Sequence, residues 1–599
     1  MIVHSSFSQT GPGGVGNDLG SSDLKLWFRT DNGVSVTGTL VDSWQNSAGI
    51  AVLDISETGA QRPTLVSNAV NGFSEVSYSG STRLRTGTTL TTSNFITDQA
   101  SSFTVCRADN TSQTSCVYTT DPLVGSTRFS NHIPWANTIY FDIGTCCSND
   151  ARMQVGGLTG LASYSIWTYD ASPALGKQLY RNGGLLQNRA NTTTYSSHAT
   201  HRFNIGGNTS GTNGFVGDVA EIIIFNVRVN SAQRIIIDNY LAAKFGLALT
   251  GNDLYVQDNP ANGNFDFNVA GIGRIDASNL HNDAQGTGIV RMLNPSGLGN
   301  NEFLIWGHDN GLEQATNTSD VPASVEARFE RVWRVNEVNA AGAAVNVGAV
   351  DIRFDLTGLG TIAASDLRLL VDTDNDGLFN DETPISGATN VGGDVYEFAS
   401  VTAIANNLRF TIGTINSSST PLPIELLYFN AIATDHKMVK LDWQTASESS
   451  NDFFTIERST NGMNWEFLKS IKGAGNSSVL LTYSATDSLP YSGISYYRLK
   501  QTDFDGQYSY SQMREVNMNV WSQSTVQIYP NPSDDQIIVE GSADELSQIS
   551  IYNALGKDVT PMMIITNFSA EKVQIELTEL NSGIYFLKTK SAINKVFKQ

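Results

Sequence analysis

The sequence contains 599 residues with 58 acidic and 37 basic side chains, and its formal net charge is −21. A chain this acidic repels nucleic acid and anionic membrane surfaces, so neither is expected as a partner. Only 16% of the residues are charged and glycine is abundant, which favours an extracellular β-protein over a helical cytosolic enzyme. No run of about 18 apolar residues occurs, so no transmembrane segment is predicted.

The first 20 residues (1–20) are predicted to be an N-terminal tail. Ser6 and Ser8 stand at −3 and −1 relative to Gln9, as small residues do at a signal-peptidase site. Yet the eight residues before Gln9 contain no basic start and no full apolar region. We interpret the segment as the remnant of a signal peptide lost from a truncated gene model, and a plain disordered tail is the alternative.

Almost all of the remaining chain alternates apolar and polar residues with a period of two and breaks at Gly, Asn, Asp or Ser. This pattern predicts an all-β fold class, a multidomain chain of β-sandwiches. The exception is 230–249, where apolar residues recur at helical spacing after a capping Ser231 and before a terminating Gly246. The predicted domains are 21–250, 251–415, 426–520 and 524–599, with a Ser/Thr/Pro linker at 416–425.

The first domain, 21–250, ends with the predicted helix. Its landmarks, in order, are the Trp27 strand, an Asn182–Gly183 turn, Gly206–Gly207 and the Gly217–Asp218 strand. In this order the segment resembles the LamG-like, concanavalin A-like jelly roll of bacterial surface proteins. The resemblance implies a domain that binds a polysaccharide or a cell-surface glycan.

Three tryptophans of this domain have two interpretations. Trp27, Trp44 and Trp167 either pack in the core or lie exposed, where they would stack on sugar rings.

Four cysteines lie in the first domain. The stretch "FTVCRADNTSQTSCVYTT" indicates two strands joined by a polar loop, so Cys106 and Cys116 are expected to face each other and form a disulfide. Such a bridge implies an oxidising compartment. The adjacent Cys146 and Cys147 are either free thiols or part of a second bridge. No CxxC or HExxH motif occurs, so no zinc site is predicted.

The second domain, 251–415, contains strand–turn units such as "VAGIGRID", "NEFLIWGHDNG" and "RFERVWRVNEV". The helix ending "YLAAKFGLAL" and the following "AGIGR" resemble an uncharacterised β-module of large Bacteroidetes adhesins. That resemblance implies no activity.

Near the end of this domain, "VDTDNDGLFNDET" resembles a calcium-binding loop. Asp372, Asp374 and Asp376 occupy positions 1, 3 and 5 of an EF-hand-like loop, and Gly377 holds the sharp turn at position 6. Position 12 is Thr383 rather than glutamate, so the loop is not an EF-hand. A solvated turn and an unoccupied site are the alternatives. The predicted ligands of Ca²⁺, the expected cofactor, are Asp372, Asp374, Asp376, the Leu378 carbonyl and Asp381.

The third domain, 426–520, alternates strongly and has hairpin signals at "TNG" and "DFDG". It resembles the fibronectin-III-like sandwich that commonly precedes the tail of secreted Bacteroidetes proteins. Trp443 is its expected core residue.

The last module, 524–599, opens with "VQIYPNPSDDQIIVEG" and continues as six or seven short strands. It closely resembles the type A C-terminal sorting domain of type IX secretion substrates. The resemblance implies export by the type IX secretion machinery and a location outside the cell or on its outer surface. The matching sorting-signal residues are Tyr529, Pro530, Asn531, Pro532, Gly556, Gly583 and Tyr585.

No catalytic motif is found. The E-x-D-x-x-E strand of jelly-roll glycosidases and GxSxG are absent, and Asp218 and Glu221 are spaced to face opposite sides of a strand. We therefore expect no enzyme. The predicted function is an adhesin-like surface protein that binds glycans or other surface ligands. The alternatives are a purely structural surface component and, less favoured, a polysaccharide-active enzyme.

Overall fold

The computed structural model forms two compact units, 1–423 and 424–599, and is built almost entirely of strands. The all-β prediction is therefore confirmed, and the division falls inside the predicted linker. Among the described residues, no helix has the length and apolar character needed to cross a membrane. The structure describes residues 9–599 except 92, 123–126, 145–151, 191–200, 208–212, 312, 314–316, 358, 360–361, 418–419, 421–425, 435–437, 446–447, 461, 463–464, 478–480, 505–507, 512, 519–525, 542, 554–555, 570–571 and 591–592.

The first domain is a jelly roll of two strand layers. One layer has the order β15-β14-β13-β8-β17-β1, and the other has β12-β11-β10-β9-β16-β7-β4-β3-β2, with β5 and β6 joining them. The strands are β1 Leu24–Arg29, β2 Val34–Thr37, β3 Leu40–Trp44, β4 Ile55–Ser56, β5 Thr64–Val70, β6 Phe73–Ser79, β7 Leu84–Thr86, β8 Ala100–Ala108, β9 Tyr118–Asp121, β10 Arg128–Trp135, β11 Thr138–Gly144, β12 Arg152–Gly156, β13 Ser165–Ser172, β14 Gly176–Arg181, β15 Gly184–Arg189, β16 Arg202–Ile205 and β17 Val216–Phe225.

The three tryptophans in question are core residues. Trp27, Trp44 and Trp167 are each at most 1% exposed. Trp44 and Trp167 lie between the two layers, and Trp27 packs on the outer side of the first layer. None of them can stack on a sugar ring at the surface.

The helix α1, Ser231–Phe245, is buried on nearly all of its surface. Asn230, rather than the predicted Ser231, is the N-cap, because its side chain accepts from the Gln233 amide in a reciprocal capping box. Gly246 ends the helix in the left-handed conformation at φ 62°.

One side of α1 covers the outer face of the first jelly-roll layer, and the other packs on the next domain. The apolar cluster around the helix includes Trp27, Phe103, Ile223 and Phe225 of the jelly roll and Val269, Phe303 and Ile305 of the second domain. The predicted boundary at residue 250 therefore divides one continuous core.

A buried ion pair lies at the centre of this junction. The Lys244 ammonium is 2.8 Å from Glu221 Oε2 and 2.9 Å from Asp31 Oδ1. The Trp27 indole N–H (2.7 Å) and the Tyr240 hydroxyl (2.9 Å) both donate to Glu221 Oε1. Burial alone would raise the pKa of Asp31, but Lys244 and Arg29 lower it to about 2, so Asp31 is ionised at neutral pH.

Residues 9–20 also belong to the first unit rather than to a tail. The Gln9 carbonyl accepts hydrogen bonds from the amides of Gln285 and Gly286, at 3.1 and 2.9 Å. The Gly14 carbonyl accepts from His281 Nε2 at 3.0 Å. The tail prediction is therefore wrong for 9–20, and the Ser6–Ser8 cleavage pattern lies outside the described residues.

The second domain is a sandwich whose two sheets enclose one core. One sheet contains β18, β19, β22, β23, β24, β26 and β29, and the other has the order β20-β21-β25-β28-β27. The strands are β18 Phe267–Asp276, β19 Asn279–His281, β20 Asp283–Ala284, β21 Val290–Leu293, β22 Glu302–His308, β23 Ala327–Arg328, β24 Trp333–Asn339, β25 Val350–Asp355, β26 Leu367–Asp372, β27 Thr389–Gly392, β28 Val395–Val401 and β29 Arg409–Thr414.

The second unit contains two small sandwiches. In the first, Trp443 is fully buried, as predicted. Its strands are β30 Leu426–Ala433, β31 Val439–Thr445, β32 Glu448–Ser459, β33 Glu466–Ser477, β34 Leu481–Asp487, β35 Ile494–Asp503, β36 Tyr508–Tyr510 and β37 Arg514–Asn517. The second contains one short helix, α2 Ala543–Leu546. Its strands are β38 Gln527–Tyr529, β39 Gln536–Glu540, β40 Ser550–Asn553, β41 Ile564–Ser569, β42 Lys572–Glu576, β43 Gly583–Lys588 and β44 Ile593–Lys598.

We predict that Lys244→Met lowers the free energy of unfolding of the first unit by roughly 3 kcal/mol, because Glu221 then keeps a buried charge without its cation. Urea unfolding followed by tryptophan fluorescence measures the change. Lys25→Met is the matched control, since among the described residues that ammonium donates to the Ser22 carbonyl alone, and its expected loss is about 1 kcal/mol. Equal losses in the two variants would contradict the role of the ion pair.

Candidate functional site

One outer side of the jelly roll gathers charged and polar side chains, among which the arginines are half-buried. Helix α1 covers the outer side of the first layer, so a ligand cannot reach it there. The outer side of the second layer carries polar side chains, while the alternate residues of the same strands form the core. These core residues include Leu84, Tyr118, Phe129, Phe141, Met153 and Phe203.

Strand register aligns these outward side chains in a row. Arg152 is paired with Asp142, Asp142 with Ser130, and Ser130 with Thr119. Asn204 is paired with both Thr119 and Arg85. We call this surface the polar face, and it consists of Arg85, Thr119, Asp121, Arg128, Ser130, His132, Tyr140, Asp142, Arg152, Arg202 and Asn204.

Asp142 is the buried anion of the polar face. Arg152 donates to both of its oxygens, at 2.7 and 2.8 Å, and Arg128 Nη1 lies 3.5 Å away. Burial raises the pKa of Asp142, but the hydrogen bonds from Arg152 and His132 outweigh it and hold the pKa far below its usual range. The carboxylate is therefore ionised and orients the cations around it.

His132 stands beside Asp142, with its Nε2 3.6 Å from Asp142 Oδ2 and 2.9 Å from the Ser130 hydroxyl. Its Nδ1 is 2.8 Å from the Ser115 carbonyl and 3.4 Å from the Cys116 sulfur. Burial lowers the pKa of His132, yet Cys116 and Asp142 together raise it to about 10. The imidazole therefore adds a positive charge to this end of the polar face.

Two half-buried aromatic rings flank this end of the face. The Trp135 ring centroid is 5.3 Å from that of His132, and the Arg152 guanidinium lies 4.4 Å from the Tyr140 ring centroid. They offer apolar surface next to the charged groups.

Asn204 lies between two arginines of the polar face, Arg85 in register on β7 and Arg202 two residues before it on β16. Its side chain is fully buried, and neither amide atom has a hydrogen-bond partner among the residues that the structure describes. An unsatisfied buried polar group costs about 1–3 kcal/mol. The groups of this face that a ligand can reach are therefore the half-buried arginines rather than the Asn204 amide.

The predicted disulfide between Cys106 and Cys116 is not formed in the structure, where both are buried free thiols. Strand β8, which carries Cys106, is paired with β13 and β17, whereas β9, which follows Cys116, is paired with β10 and β16. The two strands predicted to form a hairpin therefore lie in different layers. Cys146 and Cys147 lie outside the described residues.

The expected orientation of Asp218 and Glu221 is also wrong. A β-bulge between Val219 and Glu221 pairs Asp218 with Arg107 and Glu221 with Val105. Both carboxylates therefore face the same side of the first layer. Glu221 is 1% exposed and held by Lys244, so it is closed to a substrate.

The aspartate-rich loop does bring Asp372, Asp374 and Asp376 together. One carboxylate oxygen from each lies within 4.8 Å of the others. Asp372 Oδ1 is buried and has no partner among the described residues, while its Oδ2 accepts from Arg409 Nη1 and the Gly377 amide, both at 3.0 Å. These carboxylates fit a hard cation, and one of them keeps a buried oxygen that no described donor satisfies.

The other predicted ligands are Leu378 and Asp381, and neither side chain belongs to this group of three. Leu378 follows the turn and is exposed, and Gly377 has a φ of 94°, where a Cβ would come 3.0 Å from Arg409. Asp381 is exposed and is not part of the group of three. Glu382 instead closes the loop by accepting from the Thr373 amide (2.6 Å) and hydroxyl (2.8 Å).

In the last sandwich, the predicted sorting residue Asn531 forms two hydrogen bonds with the final strand, β44. Asn531 Nδ2 donates to the Lys595 carbonyl at 2.7 Å, and Asn531 Oδ1 accepts from the Phe597 amide at 2.9 Å. Tyr585 is buried and donates to the Asn581 carbonyl. Gly556 forms a turn at φ 76°. Three further sorting residues flank Asn531 at the start of the module: Tyr529, Pro530 and Pro532. The last one, Gly583, begins β43.

Two family models match parts of the chain. Residues 527–599 match the secretion system C-terminal sorting domain. Residues 233–408 match a domain of unknown function, DUF8202, and this match begins inside α1, in agreement with the packing of the helix on the second domain. The sorting domain makes this a protein exported by the type IX secretion system and located outside the cell or on its outer surface.

No curated protein matches the sequence. Among solved structures, the binding domain of botulinum neurotoxin DC in complex with rat synaptotagmin II is 12% identical, with 65% of this chain and 94% of that chain covered and a TM-score of 0.28. Domain 4 of AbnA, a GH43 extracellular arabinanase from Geobacillus stearothermophilus, in complex with arabinotriose, is 13% identical, with 36% and 97% covered and a TM-score of 0.26. At these TM-scores neither likeness carries an argument about function.

Proposed function

We propose that this exported protein is an adhesin-like binding protein that recognises a glycan through the polar face of its jelly roll. The observation that carries the proposal is the row of half-buried arginines on this face, Arg85, Arg128, Arg152 and Arg202. A guanidinium presents five N–H donors in a fixed geometry, and sugar hydroxyl oxygens accept from such donors. A few polar groups placed in this way fix the orientation of a bound ligand.

The surroundings of these arginines support a glycan. Side chains that form hydrogen bonds continue across neighbouring strands from Arg85 to Arg152, a row that suits an extended chain. At the far end the half-buried rings of Trp135 and Tyr140 offer the apolar surface on which sugar rings pack.

A binding role is favoured over catalysis. A retaining glycosidase needs two carboxyl groups about 5 Å apart, and an inverting one needs them about 6.5–9.5 Å apart. Among the described residues, the strand neighbours of Asp142 across the polar face are Ser130 and Arg152, so no second carboxyl group stands opposite it. Asp142 is moreover bound by two arginines and is a poor proton donor.

We also propose that Ca²⁺ binds the loop of Asp372, Asp374 and Asp376, with the Leu378 carbonyl as a further ligand. The orphaned Asp372 oxygen and the convergence of three carboxylates support this proposal. Asp381 would join only if the loop closed further around the ion. The ion would brace the end of β26 against β29, where Asp372 is paired with Arg409.

We predict that Tyr140→Ala lowers the affinity for a glycan by at least about tenfold, because the half-buried ring supplies apolar surface on which a sugar ring packs. The measurement is binding of the full chain to a polysaccharide panel, together with urea unfolding. Tyr164→Ala is the matched control, since that ring is also half-buried beside an arginine, Arg107 at 5.6 Å, but lies outside the polar face. Unchanged binding by the Tyr140 variant, or no binding by the wild type, would contradict the proposed function, and the latter would favour a purely structural role.

We predict that Ca²⁺ well above its dissociation constant stabilises the first unit by about 1–3 kcal/mol, since an ion that binds only the folded state shifts unfolding by mass action. Calorimetry of the full chain with Ca²⁺ and with chelator measures this. Mg²⁺ is the control because it demands a smaller octahedral site. Asp374→Asn together with Asp376→Asn should abolish the gain, and a gain that survives these changes would place the ion elsewhere.

A further inference from the structure

We infer that the glycan bound by the polar face is acidic and that its carboxylate or sulfate groups are held by arginines on both sides of Asn204. This inference rests on the proposed function and deepens it by naming the class of ligand. It follows from the charges of the face, from the way its arginines are paired and from the position of two of them.

The polar face carries an excess of positive charge. On β7, β9, β10, β11, β12 and β16, the outward charged residues that the structure describes are four arginines, two aspartates and His132. The arginines are Arg85, Arg128, Arg152 and Arg202, and the aspartates are Asp121 and Asp142. The whole chain, in contrast, has a net charge of −21. The polar face is therefore a local cluster of positive charge on a protein that is acidic as a whole.

The carboxylates of this region do not satisfy all of the guanidinium donors around them. Arg152 donates to both oxygens of Asp142, and Arg128 Nη1 lies 3.5 Å from Asp142 Oδ2. The Arg128 Nε is buried and has no partner among the described residues. Glu57 is bound at 2.9 Å by Arg83 and lies 3.5 Å from Arg85. Guanidinium N–H groups therefore remain for a further anion.

Arg202 is the least engaged of the four. It lies opposite Asp121 in register, yet no ion pair joins it to any residue that the structure describes. Its side chain is half-buried, so it holds a fixed place on the surface rather than extending freely into solvent. It is the cation with the most capacity left for a ligand.

Two arginines flank the unpartnered Asn204 amide. Arg85 is its register partner on β7, at a strand spacing of about 4.8 Å. Arg202 precedes it by two residues on β16 and therefore points to the same side of the sheet. An arginine fork matches the planar geometry of a carboxylate or sulfate, so this arrangement suits a sugar that carries such a group beside its hydroxyls.

The overall charge of the protein shapes how such a ligand would bind. The acidic chain repels a polyanion at long range, so attraction comes only from arginines within a screening length, about 8 Å at physiological salt. Binding should therefore be short-ranged and should weaken as salt is raised.

The test uses the full chain and two forms of one polysaccharide. Polygalacturonate carries a carboxylate on each sugar, and its fully methyl-esterified form has the same backbone without the charge. Chondroitin sulfate is a third ligand that shows whether sulfate is preferred to carboxylate, and inorganic phosphate as a competitor shows whether a free anion suffices. Affinity is measured by surface plasmon resonance at low and high salt.

We predict that the wild type binds polygalacturonate at least about tenfold more tightly than the ester and that Arg202→Gln and Arg85→Gln each remove about tenfold of that affinity. Neither change should affect binding of the ester, and Arg202→Lys should keep part of the affinity for the acid. Arg368→Gln is the matched control because Arg368 lies in the second domain and donates only to backbone carbonyls. Thermal unfolding of each variant verifies that it is folded.

The outcomes distinguish the acidic class of the ligand from glycan binding itself. Equal binding of acid and ester, or arginine variants that bind polygalacturonate like the wild type, would overturn the acidic ligand and leave glycan binding standing. Binding to none of these polysaccharides, nor to a neutral panel, would overturn the proposed function with it. Phosphate binding alone would show a simple anion site and would likewise overturn the inference.

Discussion

The ion pair of Lys244 with Glu221 is the constraint on which the arrangement of the first unit depends. A buried glutamate is tolerated only with a cation and hydrogen bonds, and here Lys244, Trp27 and Tyr240 supply them. The pair binds α1 to the jelly roll on one side while the same helix packs on the second domain. The outer side of the first jelly-roll layer is thereby covered by α1, so the ligand that we propose is expected on the half-buried arginines of the polar face.

The polar groups of the polar face are satisfied less evenly. Its buried carboxylate, Asp142, accepts hydrogen bonds from Arg152 at both oxygens. The arginines on either side are engaged more weakly, since Arg128 lies 3.5 Å from Asp142 and Arg85 lies 3.5 Å from Glu57. A ligand that approaches this face therefore meets guanidinium groups that still have donors to offer.

Much of the fold follows from local patterns in the sequence. The period of two predicted the sandwiches, the Gly246 stop predicted the end of α1, and the aspartate spacing predicted the convergence of Asp372, Asp374 and Asp376. The failures share one cause, because they depend on which strands become neighbours. The separation of Cys106 from Cys116, the bulge that aligns Asp218 with Glu221 and the row of polar residues across six strands are all set by long-range pairing. No sequence motif singled out Asn204 or Arg202, and only the order of the strands shows what lies beside them.

The most direct test of the central claim is a crystal structure of the full chain with a bound acidic oligosaccharide. We predict that a carboxylate of the ligand lies between Arg85 and Arg202 and accepts hydrogen bonds from both guanidinium groups. A ligand bound elsewhere on the protein would contradict the account.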